Sequence, residues 1–265
     1  MFRWLTERRR RHILETPWPE AWTAIVERNV AAWSLLDEHE RARLQDLVRV
    51  FLAEKNLEGA GGLELIDEHR VTIAAQACLL ILGRDHDLFA RLVSIVVYPS
   101  VVKTPAQRLS TFAIARGPLD GGTPIAGQAF RGDTVILAWD QVVHGGRDPH
   151  DGKNVVVHEL AHVIDFLDGN ADGTPPLGSR AEYRTWAGVC AAAYLALGEE
   201  VERGAPTGVL RAYGATNEAE FFAVATEAFF ERPRELAREH RDLYDLLAKF
   251  YNLDLATRAD RGSAT

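Results

Sequence analysis

The stretch "NVVVHELAHVIDFLDG", residues 154–169, decides how this chain is read, because it sets His158-Glu159-x-x-His162 inside an apolar run of helical period. On a helix, positions 158 and 162 stand one turn apart on one face, so two imidazoles can converge on a metal ion. Glu159 lies about 100° further round and near the same opening. Zinc suits such ligands. In catalytic zinc sites three protein groups and one water bind the ion, the water's pKa falls toward about 7, and a nearby glutamate takes its proton. The "VVV" ahead of the motif fits a buried helix, where a His-Glu-His group without partners would be costly to desolvate. The motif supplies two ligands and a base, so a third ligand has to come from elsewhere.

Several acids are candidates. Asp168 stands ten residues after His158, where an extended HExxHxxGxxH pattern places its third ligand. That pattern turns the chain sharply at an intervening glycine, and here the position is Asp165. If the helix continues instead, Asp165 falls near the histidine face and could hydrogen-bond a ligand ring; Asp165 or Asp168 as a solvating charge at a helix end is the plainer alternative. The other candidates lie in "RAYGATNEAEFFAVATEAFFE", residues 211–231. Glu220 and Glu227 are seven residues apart and share a helix face, whereas Glu218 is rotated about 200° from Glu220. Phe221 and Phe222 place Glu220 in buried surroundings, where a carboxylate needs a cation or donors. Glu227 is read either as a partner of a ligand or as an ordinary ion-paired residue. Tyr213, in a turn marked by Gly214 and Asn217, could lean over the metal and donate to an oxyanion, or simply pack.

Outward from these segments, 47% hydrophobic and 26% charged residues in a chain of 265 are ordinary for a globular protein with a sizeable core. The net charge of −8 leaves no electrostatic footprint for direct nucleic-acid binding. Apolar runs such as "SIVVYPSVV" are too short to span a bilayer, and no apolar segment of signal-peptide length follows the basic start "MFRWLTERRRRHILETP". A cytoplasmic protein is expected, with Cys78 and Cys190 as reduced core residues. The Arg8–Arg11 run reads as a solvated helix face, with contact to anionic lipid or an acidic partner as the sharper alternative.

The pattern from Pro17 to about Gly83 is helical. Asp37 opens a helix with Glu40 three residues later as a capping box, and Asp67 caps another that ends at Gly83. His69 and Gln76 on that helix read as core contacts. Between Ser94 and Asp140 the texture changes to short β-branched runs, "SIVVYPS", "TFAIARG", "PIAGQAF" and "DTVILAWD", which predict a small sheet just upstream of the motif helix. Helices follow over about 181–197, 217–230 and from Pro233 to about Tyr251.

"HELAHVIDFLDG" and "AYGATNEAEFFAVATEAFF" together resemble the Mlc titration factor A family of bacterial zinc metallopeptidases, and the second also resembles the peptidase domain of anthrax lethal factor. The likeness to the titration factors continues through "PEAWTAIVERNVAAW", "RVTIAAQACLLILG", "TVILAWDQVV" and "DGTPPL". It implies an α+β, mainly helical, zincin-like metallopeptidase with a small mixed β-sheet beside the active-site helix. One domain over 1–265 is expected, with a helical N-terminal region over 1–90 and a catalytic region over 91–255. The resemblance further implies that His158, His162 and Glu220 bind Zn2+, that Glu159 is the general base and that Tyr213 assists at the oxyanion. It implies aminopeptidase-like cleavage of peptide substrates and binding of an Mlc-type transcriptional repressor. A regulatory protein that sequesters a repressor, with structural zinc, is the alternative.

Overall fold

The computed structural model describes residues 3–103, 124–125, 127–130 and 133–258. In chain order these form α1 (Arg3–Glu15), α2 (Glu20–Asn29), α3 (Glu38–Glu54), β1 (Asn56–Gly59), α4 (Asp67–Leu79), β2 (Ser94–Tyr98), β3 (Val102–Lys103), β4 (Pro124–Ile125), β5 (Gly127–Phe130) and β6 (Thr134–Ala138). Six helices follow: α5 (Trp139–Arg147), α6 (Val155–Asp165), α7 (Arg180–Glu202), α8 (Glu218–Glu231), α9 (Pro233–Glu239) and α10 (Arg241–Tyr251). The protein is thus α+β and mainly helical, as the sequence predicts. The expected strand "TFAIARG" lies outside the described residues.

The main sheet runs β1-β2-β6-β5. β1, β2 and β6 are parallel, with Val96 opposite Ile136, and β5 runs antiparallel to β6 at the sheet edge. Alternation sends Ile95, Val97, Val135 and Leu137 to a fully buried face. β1 was not legible in advance, because "NLEG" is short and polar and only Leu57 of it is buried.

Two helices form the centre. α4 is buried from Val71 to Leu79, apolar on nearly every side, and it packs against α2, α3, α5 and α6. α6 buries Val156, Val157, Leu160, Ala161, Val163 and Ile164, and lies between β5, β6, α4 and α8. The motif is therefore embedded in the core.

Local chemistry explains most boundaries. At α3 the Asp37 carboxylate accepts the Glu40 N–H at 2.9 Å and the Glu40 carboxylate accepts the Asp37 N–H at 3.2 Å, which is the expected capping box. Asp67 is the first residue of α4 rather than its cap, and it accepts from the Trp22 indole at 2.8 Å. The free N–H at that helix start, on Ile66, is taken by His69 Nδ1 at 3.1 Å. Gln76 donates to the Val142 carbonyl at 3.1 Å, a core contact as expected. α4 ends at Leu79, short of Gly83, and the segment expected to be one helix after Pro233 divides at His240, whose backbone leaves the helical region. The break lets α10 turn Leu243, Tyr244, Leu247, Phe250 and Tyr251 into the core. In α1, Arg10 is partly buried and pairs through two nitrogens with Glu54 at 2.8 and 3.0 Å, while Arg8, Arg9 and Arg11 are exposed. Both cysteines are free thiols, and burial pushes Cys78 well up and Cys190 up to about 12.

Gly146, in the last turn of α5, sits where α2 and α4 close on that helix. A Cβ there would stand 2.3 Å from the Asn29 carbonyl oxygen and 2.6 Å from Gln76 Nε2. Gly146→Ala is expected to destabilise the protein by about 1–3 kcal/mol through overpacking, read as a lower denaturant midpoint with an unchanged slope in chemical unfolding.

Candidate metal centre

The centre is built by two helices whose starts are both capped by asparagine. Asn154 accepts the Val157 N–H at 3.0 Å and opens α6; Asn217 accepts the Glu220 N–H at 3.0 Å and opens α8. Phe221, Phe222 and Phe229 bury the other sides of α8, which leaves its Glu220–Glu227 face to meet α6.

The three groups read as ligands come together. His158 Nε2 lies 3.1 Å and His162 Nε2 3.4 Å from Glu220 Oε2, with the two imidazoles edge to face at 4.9 Å. One donor atom from each of His158, His162 and Glu220 lies within 4.8 Å of the other two, a spacing that could hold a metal ion. Among the described residues no other cluster of three such side chains reaches it. Asp168 is elsewhere: it is exposed and accepts the Asn170 N–H at 2.9 Å in the turn that follows α6.

Glu227 is a partner of His158, a candidate ligand, rather than only an ordinary helix-end ion pair. Its Oε2 faces His158 Nδ1 at 2.9 Å and receives Arg211 Nη2, while its Oε1 accepts the Asn154 N–H at 2.8 Å. With Nδ1 held by that carboxylate, Nε2 is the nitrogen turned to the donor cluster. Asp165, by contrast, hydrogen-bonds neither His158 nor His162. It is fully buried and accepts the Gly173 N–H at 3.0 Å, fastening the segment after α6, and burial pushes it up to about 6.

Burial works against charge on His158, yet the Glu227 and Glu220 carboxylates overcome it and hold the imidazole well above its ordinary value. Burial likewise disfavours charge on Glu220, and the two histidines reverse that, holding it well below the usual carboxylate range. A cluster with this opposed polarity suits a cation, which can replace the proton between the rings and the carboxylate. Glu159 is buried beside it. Its Oε2 has no hydrogen-bond partner, and burial, opposed by His158 and His162, raises its pKa. Tyr213, in the 3-10 turn Ala212–Ala215, has its ring 6.0 Å from His158; half of the residue is exposed, and burial with Glu220 nearby lifts its hydroxyl to about 12.

Two contributors escaped the sequence reading. Arg211 and Asn154 both serve Glu227, and the available signal was Glu227 itself: a glutamate among buried phenylalanines, one seven-residue step from Glu220, needs donors.

Comparison with known proteins agrees with this architecture. The model of the family described as glucose-regulated metallo-peptidase M90 matches residues 4–252. An uncharacterized protein of Synechocystis sp. is 36% identical over 247 residues, covering 93% of this chain and 88% of its own. Proteins named Mlc titration factor A from Serratia proteamaculans and Escherichia coli are 29% and 26% identical, covering 94% and 96% of this chain and 96% and 92% of theirs. The resemblance to the Mlc titration factors read from the two segments is borne out, and the mainly helical α+β fold is zincin-like. Matched over nearly its whole length, the chain belongs to the glucose-regulated metallo-peptidase M90 family, in the company of the Mlc titration factors.

Proposed function

We propose that this protein is a zinc-dependent, aminopeptidase-like metallopeptidase whose catalytic groups lie within 91–255 and are supported by the helical N-terminal region, 1–90. The observation that carries the reading is a buried glutamate, Glu159, with a free carboxylate oxygen beside three converging donors, His158, His162 and Glu220. Two imidazoles and one carboxylate form a familiar catalytic zinc set, and zinc held by them supplies a Lewis acid and a bound water acidic enough to ionise near neutral pH.

The chain's own residues supply the rest. Glu159 takes a proton from the attacking water through its unpartnered oxygen and delivers it to the leaving amine, a task favoured by its raised pKa. Tyr213 keeps its proton at neutral pH, so it donates to the carbonyl oxygen as that atom gains charge. β5, at the sheet edge and against α6, offers backbone groups on which an extended peptide can pair. No described helix is long and apolar enough to cross a membrane, and both thiols are free; we place the protein in the cytoplasm.

A second reading is favoured by the name the relatives carry, Mlc titration factor A. This chain then also binds an Mlc-type repressor through its surface. In the purely regulatory form of that reading, zinc only stabilises the fold.

Glu159→Gln is expected to keep zinc bound and to lower turnover of aminoacyl chromogenic substrates by about 10²–10⁴-fold; wild-type turnover would sink the mechanism. The same variant should still titrate an Mlc-type repressor in a gel-shift competition if the two activities are separate. Metal analysis of purified variants checks the ligands independently: Glu220→Ala should lose the bound zinc, and Asp168→Ala should retain one ion per chain.

A further inference from the structure

Glu227 is 2% exposed, and three segments of the chain donate to it. His158 contributes its Nδ1 from α6, Asn154 its backbone N–H from the start of that helix, and Arg211 its Nη2 from the segment leading into the Tyr213 turn. A carboxylate this buried persists as an anion only with positive charge or several donors against it. An imidazole that ligates a metal is neutral, so in the loaded protein Arg211 is the side-chain cation that Glu227 touches among the described residues. Among the described residues Glu227 is the carboxylate with which this guanidinium pairs, and its Nε is buried without a hydrogen-bond partner. The start of α6 does not depend on Arg211, because the Asn154 amide also donates to Glu231 at 3.0 Å from one turn further along α8.

We propose that Arg211 is a positioning residue: through Glu227 it fixes the His158 ring against the metal and anchors the turn that carries Tyr213. The first half concerns metal binding alone. The second rests on the peptidase reading above.

The test uses the full chain with Arg211→Gln, Arg211→Lys and Tyr213→Phe, and begins with zinc affinity from competition against a chromophoric chelator. Arg211→Gln should weaken zinc about tenfold or more at unchanged helix content by circular dichroism. Arg211→Lys should recover most of that loss, since it restores the cation. Zinc affinity of Arg211→Gln within twofold of wild type overturns the proposal whatever happens to activity. If Arg211→Gln fails to fold, Glu227→Gln, which leaves a neutral acceptor in the same place, carries the affinity measurement with the same expected loss and the same overturning result.

At saturating zinc, Arg211→Gln and Tyr213→Phe should each lower kcat with little change in KM, and the double variant should fall no more than about twofold below Tyr213→Phe alone. Fully multiplicative losses overturn the link to Tyr213. If Glu159→Gln retains wild-type turnover, it is the peptidase reading that fails, and the zinc measurement still decides whether Arg211 positions His158.

Discussion

The structure depends on a polar seam between two otherwise apolar helices. α6 and α8 are lined by buried valine, leucine and phenylalanine, yet each turns one row of ionisable groups toward the other: His158, Glu159 and His162 from the first, Glu220 and Glu227 from the second. Isolated charges in such a place would be prohibitive, and the seam exists because donors face acceptors at His158, His162, Glu220 and Glu227, with Glu159 Oε2 the exception. The asparagine caps, the phenylalanine wall on α8 and the all-round burial of α4 hold that register. The site is accordingly a property of how the core is packed.

This packing also divides the labour among chemically similar carboxylates. Glu220 sits between two imidazoles and is driven toward the anion, whereas Glu159 and Asp165 are each buried with one unpartnered oxygen and are pushed toward the neutral acid, Asp165 while its other oxygen holds the Gly173 N–H. Their side-chain chemistry is nearly the same. What separates them is which partners the helices deliver, and environments that push titratable groups apart in this way are how acid and base roles become distinct.

How much of this could be read in advance follows from the range of each interaction. The histidine pair, Glu159 and the capping box at Asp37 are local, fixed by helical period or by groups three residues apart, and the sequence displays them directly. Glu220 was one acid among several until the likeness of the second segment singled it out, since nothing local says which distant carboxylate will meet the histidines. Glu227 was ambiguous for the same reason, and Arg211 passed unnoticed because its role depends wholly on a contact sixteen residues away through a turn. β1 failed differently: a short polar strand at a sheet edge carries no period that distinguishes it from a loop.

That small strand has a structural consequence. β1 lies between α3 and α4 in the chain, yet it pairs with β2 over its whole length, and α4 packs on α6. A fragment cut at residue 91 would leave one side of β2 with unsatisfied amides and carbonyls, and would bare the face of the motif helix that α4 covers. The helical first third is woven into the packing around the motif helix, so proteolytic loss of that segment would dismantle the fold rather than release a separate domain.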